Sequence, residues 1–196
     1  MAYTTVDNGE EYFNTVLWTG DASSDKSISG VGFQPDWVWA KNRSDANDHQ
    51  IIDSSRGAGK ILRTNSTGAE LTRSVDVGAG GLQNFESDGF DVHSTSTNTN
   101  LNDNGELNVG WCWKANGGTT ASNTDGSITS TVQANTTAGF SIVTYTGTGS
   151  ATTVGHGLGI VPSWYVVKRR SATEGWTLYH HKNTSAPETD LSLIHI

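Results

Sequence analysis

Short segments with a period of two dominate the pattern of hydrophobic and polar positions along this chain. In the segment DWVWAK, Trp37 and Trp39 point to one side of an extended strand, whereas Val38 and Ala40 point to the other. Both sides are mostly apolar, which predicts a central strand that is covered on both faces. The segment SWYVVK (163–168) repeats this pattern, so it carries the same prediction.

Several other segments also alternate and are bounded by Gly, Asn or Asp, as strands usually are. In the segment 107–113, the large residues alternate with Asn, Gly and Cys, which predicts a strand with that large apolar side facing inward. Asp88-Gly89 predicts a hairpin turn, and the stretch 66–75 is the only one with a helix-like pattern. The remaining predicted strands are 12–18, 48–53, 81–87, 90–95, 140–146, 175–180 and a short edge strand at 127–132.

One phrase occurs twice, as GVGFQPDWVWAKNRSD from Gly30 and as GLGIVPSWYVVKRRSA from Gly157. The offset of 127 (157 − 30) also aligns Phe13 with Phe140 and Pro35 with Pro162, without a gap. Such a register indicates an internal repeat with the period of a small domain. The Gly-x-Gly that opens each phrase predicts a bend before the strand.

The repeat divides the chain into four parts. The sequence predicts a first β-sandwich module at 10–115, a Gly/Ser/Thr/Asn-rich linker at 116–139 and a truncated second module at 140–190. The last part, 191–196, resembles the translated end of an adapter used in preparing sequencing libraries. That resemblance predicts a non-native tail on a metagenomic fragment.

Composition and charge exclude several classes of function. The net charge of −8 argues against a broad surface for nucleic acid or anionic membranes, since both attract clusters of Lys and Arg. No apolar run is long enough to cross a bilayer, and the opening residues lack the pattern of a secretory signal peptide. Cys112 is the single cysteine and lies between two Trp residues, which predicts a buried apolar side chain.

The candidate catalytic and metal motifs are weak. RGAGK (56–60) lacks the first Gly and the final Ser/Thr of a phosphate loop, and GVGFQP lacks the third Gly of a dinucleotide fingerprint. Glu86, Asp88 and Asp91 are spaced like glycosidase carboxylates, but the turn at Asp88 is expected to scatter them. The sequence therefore predicts no catalytic residue, no metal site and no cofactor.

The densest cluster of side-chain oxygen and amide groups lies in NTNLNDNGE, and it is the candidate ligand-binding loop. Alternating oxygen ligands before Gly105 resemble the start of a calcium loop, but Trp111 stands where the bidentate Glu should be. A polar hairpin is the simpler interpretation. The candidate contact residues are Asn100, Asn102, Asp103 and Asn104.

The many short strands predict an all-β fold, an antiparallel β-sandwich of jelly-roll or concanavalin-like type, followed by the truncated second copy. The phrases FNTVLWTG, FESDGFDV, VGWCWKA and TVGHGLGIVPSWYVVKRRS, taken together, resemble tandem β-modules in virion-associated proteins of marine bacteriophages. Those modules are similar to concanavalin-like or laminin-G-like sandwiches. The resemblance carries no functional residues, since none are defined for the family.

The resemblance implies a non-enzymatic structural or adhesive module of a tail fibre or virion decoration, located on the extracellular virion. Its expected partners are other virion proteins or host-surface glycans, and the full-length protein is expected to form a homo-oligomer. It is expected to bind no nucleic acid and to insert into no membrane. The alternative is a secreted lectin-like carbohydrate-binding module, or a glycan-active enzyme on a concanavalin-like sandwich.

Overall fold

A computed structural model describes residues 6–73, 81–94, 101–183, 185 and 192–194. Apart from a three-residue 3₁₀ helix at Gly9–Glu11, the regular structure of this part is strand. The strands are β1 Phe13–Thr19, β2 Lys26–Ser29, β3 Trp37–Asn42, β4 Gln50–Asp53, β5 Lys60–Arg63, β6 Leu71–Thr72, β7 Gly81–Glu86, β8 Gly89–His93, β9 Leu107–Trp113, β10 Ala121–Asn123, β11 Ser130–Asn135, β12 Phe140–Tyr145, β13 Trp164–Lys168, β14 Trp176–His180 and β15 Ser192–Ile194.

The first copy of the repeat forms an antiparallel β-sandwich, which confirms the predicted fold class. Six strands lie in the order β1-β9-β3-β4-β5-β6, and a second sheet has the order β2-β8-β7. β3 lies between β9 and β4, as its two apolar faces predict. The predicted hairpin is confirmed too, since β7 and β8 are joined by Ser87 and Asp88 alone.

The main core lies between these two sheets. Trp18 of β1 and Phe90 of β8 meet edge to face, with ring centroids 5.6 Å apart. The Trp18 indole N–H donates to the Leu101 carbonyl at 2.7 Å, so its polar atom is satisfied. The other buried members of this core are Val16, Ile28, Val31, Phe33, Val38, Ala40, Ile52, Ile61, Leu82, Val92 and Cys112.

The face of β9 that enters this core is the opposite of the predicted one. Asn108, Gly110 and Cys112 point into the sandwich, whereas Trp111 and Trp113 lie half-buried on the outer face. The reason is space: a Cβ at Gly110 would lie 3.3 Å from the Trp18 ring and 3.4 Å from the Phe90 ring. The core is therefore filled by large side chains from β1 and β8, and β9 contributes small ones.

Cys112 is fully buried, as predicted, and burial raises the pKa of its thiol to about 12. Since the thiolate is the reactive form, we expect the thiol to resist labelling by iodoacetamide at about pH 8 in the folded protein. We expect full labelling in strong denaturant. Intact-mass spectrometry gives the labelled fraction, and rapid native labelling would show that this core opens readily.

The chain after the first copy forms two three-stranded sheets, in the orders β10-β11-β12 and β13-β14-β15, and β10 and β11 lie in the segment that was predicted to be a linker. The prediction of a central strand at 163–168 is wrong, because β13 pairs with β14 alone in the described part of the chain. The prediction of an edge strand at 127–132 is also wrong. That strand, β11, begins later and lies between β10 and β12.

Both new sheets lie against the outer face of the first sheet, as a third layer. The ring of Phe140 of β12 packs against the rings of Trp37 and Trp113, with centroid distances of 6.2 and 6.3 Å. Trp176 of β14 is buried in a second cluster with Ile51 and Leu62 of the first copy, and the half-buried Trp37, Trp39 and Val166 pack against it. The outer Trp residues of the first copy thus serve as the contact between the copies, and Trp37 is only half-buried.

Two stretches differ from their sequence expectations in other ways. The helix-like stretch 66–75 is described up to residue 73 and contains only the short strand β6, so the helical prediction is wrong there. At the C-terminal end, Ser192–Ile194 pairs with β14. The offset places these residues over 65–67, where the first copy has no strand. That the tail is non-native stays a prediction, as do the module boundaries.

In the part of the chain described, no helix has the length and apolarity needed to span a bilayer.

Candidate interaction surface

The bend before β3 is held by a carboxylate from the β7–β8 hairpin. Gly30 and Gly32 have φ of 88° and 85°, a region that favours glycine. Their backbone N–H groups donate to the two carboxylate oxygens of Asp88 at 3.1 and 2.6 Å. These hydrogen bonds lower the pKa of Asp88. The Gly-x-Gly motif and the Asp-Gly turn therefore form one structural unit, which the sequence did not show.

The three carboxylates that the sequence singled out lie near the β7–β8 hairpin. Glu86, Asp88 and Asp91 line one open groove of about 420 Å³ together with Ser27 and Ser29. Glu86 is exposed, whereas Asp88 is committed to the two bend amides.

The candidate ligand loop is divided by the structure between buried and exposed residues. Asn102 is fully buried, and its side chain bonds to Asp21 and Ser23 of the neighbouring loop. This amide ties the two loops together, so its polar atoms are already used within the chain. Asn104 is exposed and Asp103 is half-buried.

Asn100 lies outside the described residues. A contact role for the Asn100–Asn104 loop stays a prediction, and Asn104 is the member best placed for it. Among the described residues, no group of three His, Cys, Asp or Glu side chains is arranged to hold a metal ion.

A buried carboxylate at the start of β3 anchors the segment that leaves the first copy. Asp36 is fully buried. Its Oδ2 accepts hydrogen bonds from the backbone N–H groups of Ala115 at 2.7 Å and Gly117 at 2.9 Å. Its Oδ1 accepts from the Gly118 N–H and the Ser54 hydroxyl, both at 2.7 Å. One side chain thus satisfies four donors.

Gln133 of β11, within the predicted linker, completes this buried junction. It is fully buried, and its Oε1 accepts from the N–H groups of Asn116 at 3.1 Å and Gly118 at 2.9 Å. Its Nε2 donates to the hydroxyls of Ser54 at 3.0 Å and Ser55 at 2.8 Å. The segment predicted to be a flexible linker is therefore fixed at its first residues.

Sequence reasoning missed this junction. The only signal was a difference between the two copies, because the residue after the repeated proline is Asp36 in the first and Ser163 in the second. The three backbone N–H donors of Asp36 lie 79, 81 and 82 residues away in the sequence. Nothing near Asp36 in the sequence therefore indicates its partners.

An ionic cluster forms a second link between the copies. The Arg56 guanidinium contacts Asp53 at 2.5 Å and Glu70 at 2.9 Å. Arg170, which follows β13, makes a bidentate pair with the same Glu70 at 2.7 and 2.9 Å. The Glu70 backbone N–H also donates to the Arg170 carbonyl at 2.9 Å. Two-point pairing of this kind fixes orientation as well as distance.

This cluster predicts a specific acid sensitivity. Burial alone would raise the pKa of Glu70, but hydrogen bonds from Arg170 and Arg56 outweigh it and lower the pKa. The pair therefore stabilises the fold fully above the ordinary value of 4.5, and that contribution is lost as the pH falls through the lower folded value. We expect the melting temperature of Glu70→Gln to fall less steeply than that of the wild type between about pH 5 and pH 3.

Glu11→Gln, on an exposed residue of the 3₁₀ helix, is the matched control and should follow the wild type. If the melting temperatures of Glu70→Gln and the wild type fell in parallel with pH, the Glu70 ion pairs would make no net contribution to the stability of the fold.

The largest difference between the copies is a face of the second copy that we call the open face, made of Tyr145, Ile160, Tyr165, Val167 and Tyr179. The offset of 127 (145 − 18) aligns these residues with Trp18, Phe33, Val38, Ala40 and Ile52 of the first copy. Those five are all buried in the main core, at 8% exposure or less. Tyr145, Ile160 and Tyr165 are instead 44%, 66% and 40% exposed. The described second copy has no sheet in the place where β2-β8-β7 covers the first.

The open face has local order of its own. Tyr165 and Tyr179 stack with ring centroids 4.8 Å apart and planes inclined by 11°. Val161 and Trp164 are also exposed, at 87% and 51%, and Trp164 lies on the side of β13 opposite to Tyr165.

Comparisons with known proteins found no similar curated protein and no similar solved structure. One family profile matches, a domain of unknown function named DUF7483, over residues 8–194. That match spans both copies and the junction between them. The chain therefore belongs to the DUF7483 family.

Proposed function

We propose that this chain is a non-enzymatic structural module of a bacteriophage virion, in a tail fibre or surface decoration, with a concanavalin-like sandwich that makes adhesive contact with host-surface glycans. The observation that carries the structural role is the way its buried acids are used. Asp36 binds backbone amides, and Asp53 and Glu70 bind Arg56. These groups join strands and repeats, so they supply rigidity in place of reactive chemistry.

Rigid linkage between repeats suits a protein that must present surfaces at fixed positions. Gln133 of the predicted linker bonds to Ser54 and Ser55 of the first copy, and the Glu70–Arg170 pair joins the first copy to the second at a separate place. Two separate links restrict rotation more than a single linker does. The resemblance of the repeated phrases to phage virion modules supports the same assignment.

The glycan part of the proposal has two candidate surfaces. One is the exposed Asn104 loop. The other is a groove of about 200 Å³ at the start of β11 and the end of β12, which is lined by hydroxyl groups, Tyr145 and Arg170. Hydroxyls and an aromatic ring can together bond to and stack on a sugar. The hydroxyl-bearing residues are Thr129, Ser130, Thr131, Thr144 and Thr146.

A glycan array and a host-cell binding assay test the proposal. We expect binding that is weakened by Asn104→Ala or by the pair Thr131→Val and Thr144→Val, and that is unchanged by the exposed control Thr137→Val. Multivalent display on beads should strengthen weak contacts through effective concentration. Absence of binding to any glycan or cell would remove the adhesive part and leave a purely architectural role.

The acidic groove of Glu86, Asp88 and Asp91 favours one competing function, a glycan-active enzyme. Retaining and inverting glycosidases both use two carboxyl groups that flank the scissile bond. A reducing-sugar assay on the same glycans separates the two proposals. Sugar release that is lost in Glu86→Gln or Asp91→Asn would overturn the non-enzymatic assignment.

A further inference from the structure

We propose that the buried Asp36–Gln133 junction modifies itself: the Ser54 hydroxyl displaces ammonia from the Gln133 side chain and forms an ester bond within the chain. The inference rests on the geometry of the junction and does not depend on the virion assignment. The bond would join the residue that follows β4 to β11. The reaction occurs once within each chain, so it strengthens the junction and turns over no substrate.

The Ser54 hydroxyl is placed as a nucleophile beside a base. It donates to Asp36 Oδ1 at 2.7 Å, and that carboxylate is fully buried. A serine becomes a nucleophile when an adjacent base can take its proton as the oxygen attacks. Asp36 is therefore the general base of the proposed reaction.

The Gln133 carboxamide lies directly against this hydroxyl and is the electrophile. Its Nε2 and Oε1 atoms are 3.0 and 3.4 Å from Ser54 Oγ. The carbon Cδ is bonded to both atoms and lies at a similar distance, which is the range of a near-attack arrangement, about 3–3.5 Å. Gln133 is fully buried, and burial keeps bulk water from competing with the hydroxyl for this carbon.

Two backbone N–H groups point at the oxygen on which negative charge would develop. Asn116 and Gly118 donate to Gln133 Oε1 at 3.1 and 2.9 Å, and the Gly118 N–H is shared with Asp36. Paired backbone donors at this distance stabilise the oxyanion of a tetrahedral intermediate. The junction thus holds a nucleophile, a base, an electrophile and an oxyanion site in one buried cluster.

The atoms and protons of the step balance within the chain. Ser54 Oγ forms a bond to Gln133 Cδ and gives its proton to Asp36. As the tetrahedral intermediate collapses, the Cδ–Nε2 bond breaks, the proton passes from Asp36 to the nitrogen, and ammonia leaves. The Ser55 hydroxyl accepts from Nε2 at 2.8 Å and so holds the leaving nitrogen in place. The products are the ester and one ammonia, and Asp36 is regenerated.

The repeated fold does not require this base and this nucleophile. The offset of 127 (163 − 36 and 181 − 54) places Ser163 and His181 at the positions of Asp36 and Ser54. β13 and β14 nevertheless keep the register of β3 and β4. Strand pairing therefore does not explain why the first copy has an acid and a hydroxyl at these positions.

Intact-mass spectrometry and peptide mapping of the full chain test the proposal. We expect folded protein kept at neutral pH to lose the mass of one ammonia, and trypsin to release peptides 44–56 and 115–168 as one joined species. Mild alkali should separate them and leave a glutamate at position 133. Protein kept in strong urea should give the two peptides separately, because only the fold assembles the site. An unchanged mass, or ammonia loss located at an Asn-Gly pair, would overturn the proposal.

Three variants separate this chemistry from a junction held by hydrogen bonds alone. Ser54→Ala should abolish the joined peptide, and Asp36→Asn should slow its formation at least about a hundredfold, with folding verified by circular dichroism. Ser87→Ala, on the exposed hairpin serine, is the matched control and should react like the wild type. A joined peptide in Ser54→Ala would move the nucleophile to Ser55, and an unchanged rate in Asp36→Asn would remove the base, so either result overturns the assignment.

Discussion

Replacing Asp36 by alanine should lower the free energy of unfolding by roughly 2 to 6 kcal/mol. The carboxylate is fully buried and accepts from Ala115, Gly117, Gly118 and Ser54. Without it, Gly118 and Ser54 keep Gln133 as a partner. The N–H groups of Ala115 and Gly117 lose the carboxylate that they share. A buried donor left unsatisfied costs about 1–3 kcal/mol, which gives the range for two such groups.

Urea unfolding followed by far-UV circular dichroism measures this change. Asp45→Ala is the matched control, because Asp45 is an exposed acid in the turn after β3, and we expect a change within about 0.5 kcal/mol. Asp36→Asn keeps one acceptor oxygen, so its loss of unfolding free energy should lie between those of the control and the alanine variant. If Asp36→Ala lost less than about 1 kcal/mol, water would have to replace the carboxylate easily, and the junction would not be a rigid anchor.

Replacing Trp176 by alanine should have the second large effect, about 3 to 5 kcal/mol, the usual cost of truncating a buried Trp. Its ring is 7% exposed and packs on Ile51 and Leu62 of the first copy. Its indole N–H lies within hydrogen-bonding distance of the Arg63 and Ser66 carbonyls, at 3.1 and 3.2 Å. The substitution therefore removes apolar contact and a donor at the point where the copies meet.

Trp164→Ala is the matched control, since Trp164 lies on β13 in the same sheet but is 51% exposed. We expect it to cost less than about 1 kcal/mol. The shape of the transition is a second measurement. If the copies unfold as one unit, Trp176→Ala shifts a single transition, whereas a second, earlier transition would show that the third layer detaches first. Equal effects of the two substitutions would contradict the assignment of Trp176 to the interface.

Several properties of this protein could be predicted because they depend on residues that are close in the sequence. The alternation around Trp37 and Trp39 is enough to indicate a strand, and Asp88-Gly89 is enough to indicate the hairpin. The Gly-x-Gly bends require positive φ, which is a local demand of the backbone. The repeat is visible as well, since it is a comparison of the sequence with itself.

The candidate site was much harder to predict, because it depends on partners that are distant in the sequence. The Asn100–Asn104 cluster is rich in amides, but only the folded structure shows that the Asn102 side chain is hydrogen-bonded to Asp21 and Ser23. The junction at Asp36 has no local signature, because its three amide donors come from the last residue of the first copy and the start of the predicted linker.

The sequence by itself determined that the chain is made of antiparallel strands, that its central phrase is repeated, and that Cys112 is buried. Only the tertiary structure decided which strands become neighbours and which faces are covered. β3 and β13 have nearly the same pattern, yet β3 pairs on both edges, whereas among the described residues β13 pairs with β14 alone. The physical reason is that a strand's burial is set by the layers around it, and in the described structure β9 and the β2-β8-β7 sheet lie against the first copy.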